Sequence, residues 1–347
     1  MIRTYRNVIT RTAAAAGAFV TAMMLMTDAT RTQERAQDKT YVMKFTLPTL
    51  NDPSYQFAKN YAAAIERDSV GRIKTEIYPL SQLGSIPRQI EGTQFGAIQC
   101  AIIPPDFFVG IDERFEVMTA PGLADSMEHA QRIAADPAVL KLLLGLGADK
   151  GLHGVGLFMN SPSSLIEKSP IRRLSDLKGK KIRIFASQFQ IVAFERLGAT
   201  PVAMTLADVL PALQQGTIDA ALGGIVVFTP MHFHDAARYV TETGQPSVFA
   251  IVEISRKWYD SLPADLQKVV DMNAATQAKA INPVASEIVS QARKGWTDGG
   301  GELISLPAEE QATMMKTLSG VGMEVSKKKP ALNEAYQVVT DAAQRTR

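Results

Sequence analysis

The sequence predicts an α/β protein with two lobes around a cleft. Short apolar or alternating segments with the period of strands are separated by segments with the 3.6-residue apolar spacing of helices, and this series occurs twice along the chain. A chain of 347 residues is also large for one hydrophobic core and comfortable for two. Strands that alternate with helices predict a mostly parallel sheet in each lobe.

The first series of elements runs from residue 41 to residue 159. Its predicted strands lie at 41–47, 72–78, 97–103 and 152–159, and its predicted helices at 53–68, 87–95 and 127–146. The helix at 53–68 has one apolar face, formed by Phe57, Tyr61, Ala64 and Ile65. The strand at 97–103 ends at two consecutive prolines, which cannot donate hydrogen bonds to a sheet.

The second series follows a predicted connection between the lobes at 160–164. Its predicted strands lie at 181–185, 200–204, 217–222 and 247–254, and its predicted helices at 188–197, 206–215 and from Ala264 to about Trp296. The segment 181–185 alternates polar and apolar residues, as a half-buried strand does, and follows a short helical turn at 175–179 that ends at glycine.

Arg183 is the main candidate for a binding residue. It lies near the carboxyl end of the predicted strand at 181–185, and open α/β sheets bind their ligands at that edge. A guanidinium group is always charged and offers a planar set of donors that can hold a carboxylate through two parallel hydrogen bonds. The residue type and its position therefore predict a carboxylate site, with an ordinary surface arginine in a Lys-rich stretch as the alternative.

The amino terminus has the pattern of a secretory signal peptide. Arg3, Arg6 and Arg11 precede an apolar run at 13–26, and small residues follow. The run is about 14 residues long, which is too short for a transmembrane helix. We expect cleavage after Ala29, with Ala36 as a second choice, and an exported, periplasmic protein.

Composition excludes several classes of function. Residues 1–29 contain three arginines and one aspartate, which leaves 34 basic and 34 acidic residues in the remainder, and no basic stripe with interleaved aromatics predicts nucleic-acid binding. Cys100 is the only cysteine and lies in an apolar run, so we expect a buried thiol and no internal disulfide. His232 and His234 could suggest a metal site, but they fall in a predicted helix start, where positions two apart diverge. We therefore expect no metal and no cofactor.

Six segments carry a family resemblance that spans nearly the whole exported chain. They are Gly71-Arg-Ile-Lys-Thr-Glu-Ile-Tyr-Pro79, Ser81-Gln-Leu-Gly84, Leu177-Lys-Gly-Lys-Lys-Ile-Arg183, Phe194-Glu-Arg-Leu-Gly-Ala-Thr-Pro201, Ala212-Leu-Gln-Gln-Gly-Thr-Ile-Asp219 and Trp258-Tyr-Asp-Ser-Leu-Pro263. In this order and spacing the chain resembles the solute-binding proteins of tripartite ATP-independent periplasmic (TRAP) transporters, of the DctP type. Each segment alone is weak evidence, whereas their succession after a signal peptide is specific.

The resemblance implies both a fold and a function. The fold is a type II periplasmic-binding fold with two α/β lobes around a central cleft and a long helix that spans both lobes. It implies lobe I at 38–160, with later crossing segments and part of the C-terminal helices, lobe II at 161–262, and the long and C-terminal helices at 263–347. The implied function is a monomeric receptor in which Arg183 pairs with the carboxylate of an organic acid, which is then delivered to membrane subunits driven by an ion gradient.

The chain also departs from the family pattern at several expected ligand contacts. No second arginine lies in 158–164, where sialic acid-binding and some sugar acid-binding members have one. Leu222 and Gly223 stand where many members have an acidic residue and an asparagine, and Leu206 replaces a frequent aromatic. Three predicted walls of the pocket have therefore lost polar groups. Since each polar ligand group left without a partner costs about 1–3 kcal/mol, we expect an aromatic or largely apolar monocarboxylate, which includes 2-oxo and 2-hydroxy acids.

The predicted ligand site combines Arg183 with a lining from both lobes. The lining from lobe II is Phe185, Leu206, Leu222, Gly223, Gly224 and Phe228, and the contributions from lobe I and the connection are Thr49, Pro104, Phe107 and Asn160, with Phe108 nearby. Glycines 223 and 224 are expected to leave space for a ring. Two other functions stay open from the sequence: an exported α/β enzyme acting on small carboxylates, and a ligand-presenting accessory of a membrane sensor.

Overall fold

The structure, a computed structural model, describes residues 39–245 and 247–347. The predicted signal peptide at 1–29 lies outside the described residues. The strands are β1 (Tyr41–Thr46), β2 (Ile73–Tyr78), β3 (Cys100–Ile103), β4 (Leu152–Ser161), β5 (Ser164–Glu167), β6 (Lys181–Ile184), β7 (Thr200–Ala203), β8 (Ala220–Gly223), β9 (Tyr239–Glu242), β10 (Val248–Ser255) and β11 (Glu302–Ser305).

Helices connect and cover these strands. They are α1 (Pro53–Asp68), α2 (Ile86–Phe95), α3 (Met127–Ala134), α4 (Pro137–Leu143), α5 (Gln188–Arg196), α6 (Leu206–Gln215), α7 (Ile225–Phe228), α8 (Arg256–Asp260), α9 (Ala264–Asp298), α10 (Ala308–Leu318), α11 (Val321–Ser326) and α12 (Pro330–Arg345). Short 3₁₀ turns at Pro105–Phe108 and Glu113–Thr119 follow β3, and another at Leu174–Leu177 precedes β6.

The strands form two separate sheets, as expected for two lobes. The first has the order β2-β1-β3-β10-β4, and the second has the order β11-β9-β5-β8-β6-β7. In each sheet a single strand runs against its neighbours: β10 is antiparallel to β3 and β4, and β5 is antiparallel to β8 and β9. The other pairs are parallel, so each sheet is mixed rather than mostly parallel as predicted: two antiparallel pairs stand beside two parallel pairs in the first sheet and three in the second.

The antiparallel strand in each sheet is the one that enters from the other lobe. The chain leaves the first sheet after β4 to form β5, and it returns after β9 to form β10. Neither strand needs the helical crossover that parallel neighbours require. β10 thus belongs to the first sheet, although it lies within residues 161–262. β11 returns once more to the second sheet, at its edge.

Helix α9 is 35 residues long and is shared by both lobes. Its first part buries Leu266 and Val270 in a core beneath the first sheet. Its last part buries Val289 and Trp296 in a core beneath the second sheet. Pro283 lies between the two parts, inside the helix. The predicted long helix is therefore confirmed, and it runs two residues beyond Trp296.

The predicted helix at 127–146 is wrong, because the structure has two shorter helices there, α3 and α4. Asp136 separates them and caps the second, since its Oδ1 accepts hydrogen bonds from the backbone N–H groups of Ala138 at 2.9 Å and Val139 at 3.3 Å. Pro137 occupies the first position of α4 and disfavours helical backbone at the residue before it. The Asp-Pro pair is thus a helix boundary.

The segment that contains His232 and His234 forms a turn rather than the start of a regular helix. His232 has a positive φ of 56°, and a short 3₁₀ turn follows at Phe233–Asp235. Among residues 39–245 and 247–347, no three His, Cys, Asp or Glu side chains come together as a metal site would require. Cys100 is fully buried in the first sheet, as predicted, and burial raises the pKa of its thiol.

Candidate functional site

A cavity of about 530 Å³, measured to its opening at solvent, lies where the two lobes face each other. The wall of the second lobe is formed at the carboxyl ends of β6 and β8, the edge at which open α/β sheets bind ligands. The residues that line the cavity include Thr49, Asp52, Ser54, Pro104, Phe107, Asn160, Arg183, Phe185, Leu206, Gly223, Gly224 and Phe228.

Arg183 is held rigidly on the wall of the second lobe. Its strand, β6, lies between β7 and β8 and is parallel to both, so backbone carbonyls from both sides reach the guanidinium. Arg183 Nε donates to the carbonyl of Met204 at 2.9 Å, and Nη1 donates to the carbonyl of Leu222 at 2.7 Å. The guanidinium also stacks on Phe185, 4.5 Å from the ring centroid. Three of its five N–H groups remain for a ligand.

The charge of Arg183 is buried without a direct partner. The side chain is 2% exposed, and it forms no salt bridge with any residue in the described part of the chain. Burial lowers the pKa of Arg183 to about 9, although Asp106 and Asp208 favour its charged form. The guanidinium is thus part of the packing of this wall, because it stacks on a ring and bonds two carbonyls.

Asp106 is a second buried charge in the same region. It lies on the 3₁₀ turn after β3 and is 1% exposed, and neither carboxylate oxygen has a hydrogen-bond partner among the described residues. Burial raises the pKa of Asp106 to about 7, against a lowering effect of Arg183. Sequence reasoning missed this residue, because nothing in the local pattern distinguishes it from an exposed turn aspartate.

A polar group faces the cavity from the first lobe. Asp52 caps α1, with Oδ1 accepting from the backbone N–H of Tyr55 at 2.9 Å and Oδ2 accepting from Asn160 Nδ2 at 3.0 Å. Asn160 Nδ2 also donates to Ser54 Oγ at 2.7 Å. Burial raises the pKa of Asp52, while the bonds from Asn160 and Tyr55 oppose that shift. Asp52 was not among the predicted site residues, although its position before Pro53 is a typical helix-capping signal.

The remaining wall is mostly apolar. Phe107 and Phe185 come from opposite lobes, and their ring centroids are 5.6 Å apart. Further apolar side chains line the cavity from both lobes: Ile86, Ile102, Leu206, Val227, Phe228, Val248 and Phe249. A ligand in this cavity would therefore contact hydrocarbon over most of its surface and polar groups at two places.

The two glycines do not leave an open space for a ligand ring, contrary to our expectation. A Cβ atom on Gly223 would lie 2.8 Å from Cζ of Phe228, so the ring of Phe228 already occupies that space. A Cβ atom on Gly224 would lie 2.0 Å from Oγ of Ser161 in the first lobe. Gly224 thus permits a close approach between the lobes.

Ten of the eleven predicted site residues line this one cavity. They are Thr49, Pro104, Phe107, Asn160, Arg183, Phe185, Leu206, Gly223, Gly224 and Phe228. Leu222 does not line it, because its side chain is buried in the core of the second lobe with Leu165, and only its carbonyl reaches Arg183. Phe108 is also a core residue, packed against Phe115 with the ring centroids 5.2 Å apart.

Two α/β lobes that enclose a small cavity with a buried cation define a ligand-binding receptor with the type II periplasmic-binding fold. Comparisons with known proteins agree with this class. The family model for bacterial extracellular solute-binding protein, family 7 (DctP), matches residues 46–328. The chain therefore belongs to this family, whose members are receptors for solutes and not enzymes, and the enzyme alternative is set aside.

Curated relatives and solved structures show the same similarity. The chain is 26% identical over 293 residues to the C4-dicarboxylate-binding periplasmic protein DctP of Rhodobacter capsulatus, covering 83% of this chain and 87% of that protein. It is 29% identical over 208 residues to the uncharacterized protein YiiZ of Salmonella typhimurium, covering 60% of this chain and 64% of YiiZ, which is less than two thirds of that relative.

Among solved structures, a TRAP periplasmic solute binding protein from Desulfovibrio salexigens with bound orotic acid superposes with a TM-score of 0.83. It is 21% identical in sequence, and the match covers 89% of this chain and 100% of that chain. This similarity confirms the predicted fold. No helix in the two described ranges is both long and apolar enough to cross a membrane.

Proposed function

We propose that this protein captures an organic acid in the periplasm through Arg183 and delivers it to the membrane subunits of a TRAP transporter. We further propose that the acid is aromatic or largely apolar and carries a single carboxylate. The observation that supports this most directly is the buried guanidinium of Arg183, which is held by two carbonyls, has no salt bridge within the described residues, and lines the cavity between the lobes.

A ligand carboxylate would fit this environment for electrostatic reasons. A charge without a counterion inside a protein is costly, and a carboxylate sealed in a closed cleft loses its hydration as well. Each group therefore stabilises the other when both are buried. Because Nε of Arg183 already donates to Met204, the free N–H groups favour an end-on approach of the carboxylate to Nη1 and Nη2.

The rest of the lining favours an apolar body. Arg183 is the only Lys or Arg side chain among the cavity-lining residues, so a second ligand carboxylate would have no second cation. It would instead approach the region of Asp52, whose carboxyl group repels it. Phe107, Phe185 and Phe228 offer ring faces and edges to an aromatic body.

A ligand screen tests this proposal. The exported protein would be unfolded and refolded to remove bound ligand, and then titrated with benzoate, phenylacetate, succinate and galactonate in thermal-shift and calorimetric experiments. A ligand at about 100 times its Kd adds roughly 2.7 kcal/mol of apparent stability, which raises the Tm visibly. Binding confined to the two aromatic acids is expected. Preference for succinate or galactonate would overturn the ligand class, and the absence of any binding acid would overturn the carboxylate site.

Two matched arginine variants test the role of Arg183. Arg183→Lys keeps the charge but loses the planar donors. We expect it to lower the affinity for every acid that binds by about tenfold or more. Arg172→Lys is the control, because Arg172 lies on the surface of the same lobe and pairs with Glu302. Equal affinities for Arg183→Lys and the unmodified protein would contradict the proposed clamp.

Delivery to membrane subunits requires a test in cells. We expect uptake of a radiolabelled binding acid to require both this protein and the membrane subunits encoded near its gene. Uptake that persists after deletion of those subunits, or a transcriptional response without uptake, would contradict the transport role and favour the sensor alternative.

A further inference from the structure

We propose that the natural ligand carries a hydrogen-bond donor, a hydroxyl or N–H group, in addition to its carboxylate, and that Asn160 and Asp52 accept this donor across the cleft from Arg183. This inference rests on the proposed function and narrows its ligand class. It predicts that a hydroxy acid binds better than the matching oxo acid or the unsubstituted acid.

The hydrogen bonds of Asn160 fix the orientation of its side-chain amide. Its Nδ2 lies 3.0 Å from Asp52 Oδ2 and 2.7 Å from Ser54 Oγ. The opposite orientation would place Asn160 Oδ1 against a carboxylate oxygen, which is unfavourable because both atoms only accept. Nδ2 is therefore committed to Asp52 and Ser54, and Oδ1 is the atom left for another partner.

Asn160 Oδ1 has no hydrogen-bond partner in the described part of the chain, although Asn160 is only 4% exposed and lines the cavity. Thr49 Oγ1 is buried without a partner on the same wall. Buried polar atoms are nearly always hydrogen-bonded in folded proteins. A ligand donor would satisfy the acceptor that the protein leaves free.

The polar atoms on this wall include acceptors with unused capacity. Asn160 Oδ1 can only accept, and each oxygen of the Asp52 carboxyl group accepts one bond from the described residues, which is below its capacity. The hydroxyl groups of Thr49 and Ser54 can donate or accept. A ligand hydroxyl can thus donate to Asn160 or Asp52, whereas a ligand carbonyl would place acceptor against acceptor.

Acids with a common skeleton test the inference. The dissociation constants of 3-phenyllactate, phenylpyruvate and 3-phenylpropanoate compare a hydroxyl, an oxo group and hydrogen at one position. The pair 4-hydroxyphenylacetate and phenylacetate tests a hydroxyl at the far end of the ring. We expect at least one hydroxylated acid to bind about tenfold more tightly than its partners.

Variants connect that preference to the named residues. Asn160→Ala is expected to reduce the hydroxyl preference, measured as the ratio of the two dissociation constants within each pair of acids, to less than about threefold. Asp52→Asn keeps the helix cap, because asparagine is also a good capping residue, and is expected to weaken the same preference. Asn60→Ala is the control, since Asn60 lies on α1 outside the cavity and only bonds Gln56 there. Circular dichroism establishes that each variant is folded.

The outcomes separate this inference from the proposed function. Tight binding of unsubstituted acids with no gain from a hydroxyl, or a preference for phenylpyruvate, would overturn the inference and leave the carboxylate receptor intact. A hydroxyl preference that survives both Asn160→Ala and Asp52→Asn would also overturn it. For the carboxylate clamp, we expect Arg183→Lys to lower the affinity for all acids by the same factor and to leave the hydroxyl preference unchanged.

Discussion

At the scale of single residues, Arg183 and Asp106 would together set the charge that a ligand meets at the proposed site. Asp106 attracts Arg183 electrostatically without forming a salt bridge, and its buried carboxyl has a pKa raised to about 7. Above that pH the Asp106 carboxylate would compete with a ligand carboxylate for the guanidinium at the proposed site. Glu116, on the neighbouring 3₁₀ turn, also raises the pKa of Asp106 through its charge, but by less than burial does.

We predict that carboxylate affinity increases as the pH falls from 8.5 to 6. Protonation of Asp106 removes the competing charge, while a ligand carboxylate with a pKa near 4 stays ionised. If binding takes up a single proton, the dissociation constant should change by at most about tenfold per pH unit. Calorimetric titrations at several pH values measure it. Asp106→Asn should bind at pH 8.5 as the unmodified protein binds at pH 6, and an unchanged pH profile in that variant would exclude Asp106 as the responsible group.

Gly224 and Ser161 form a contact between the lobes that a matched pair of variants can test. We predict that Gly224→Ala destabilises the protein by roughly 1–3 kcal/mol, because the new Cβ would overlap Ser161 Oγ. Adding Ser161→Ala should recover most of that loss, since Ser161 Oγ is buried without a partner in the described residues and only its Cβ would remain, at 3.1 Å. Urea unfolding of the single and double variants measures the coupling. Additive effects would contradict the proposed overlap.

At the scale of elements, α9 is the connection that any change in the cleft must involve. Its two ends belong to different cores, and Pro283 lies between them. A proline lacks the N–H that would bond the carbonyl four residues earlier, so the helix bends most easily near that position. Opening and closing of the cleft should therefore bend α9 around Pro283.

We predict that Pro283→Ala slows ligand association. Alanine restores the missing hydrogen bond and stiffens the helix, and the same change should raise the free energy of unfolding. Stopped-flow fluorescence of the two tryptophans, Trp258 and the buried Trp296 on α9, can follow the association. Ala278→Gly is a matched control that loosens the first part of the same helix. Identical association rates for the unmodified protein and Pro283→Ala would rule out bending at this residue.

The elements that were predictable from sequence are those with a long or regular pattern. The alternation at 181–185 and the apolar spacing of α1 and α9 match the structure closely. Strands β5, β9 and β11 were not predicted, because the pairing of each depends on partners far away in the chain. The Asp136-Pro137 pair indicates a boundary between α3 and α4, but the apolar pattern on both sides of it favours one continuous helix.

The candidate site was predictable only in part. Arg183 and most of the lining could be found because they follow strand ends or family motifs. Asp52 and Asp106 could not be assigned to the site, because burial and the absence of a partner are properties of the folded chain. The packing of Phe228 over Gly223 likewise depends on the path of the backbone through α7.

At the scale of the whole molecule, the two lobes differ in what they bring to the cavity. The second lobe contributes the single cation, and the first lobe contributes the hydrogen-bonding group around Asp52 and Asn160. A ligand that satisfies both sides would contact both lobes through polar atoms and would favour the closed arrangement. Selectivity would then come from how well one small molecule bridges the two walls.

The shared helix has a further consequence for how the protein unfolds. If one lobe unfolded, α9 would lose the contacts that it buries in that lobe and would be less stable as a helix. The core of the other lobe, which also packs against α9, would then be exposed along that helix. Separate melting of the lobes is therefore unfavourable despite their separate sheets. We expect a single calorimetric transition, with equal calorimetric and van't Hoff enthalpies, as for a much smaller protein. Two resolved transitions would show that each lobe is stable without the other. With a single transition, a ligand that binds only in the cleft would protect every residue of both lobes from thermal unfolding to the same extent.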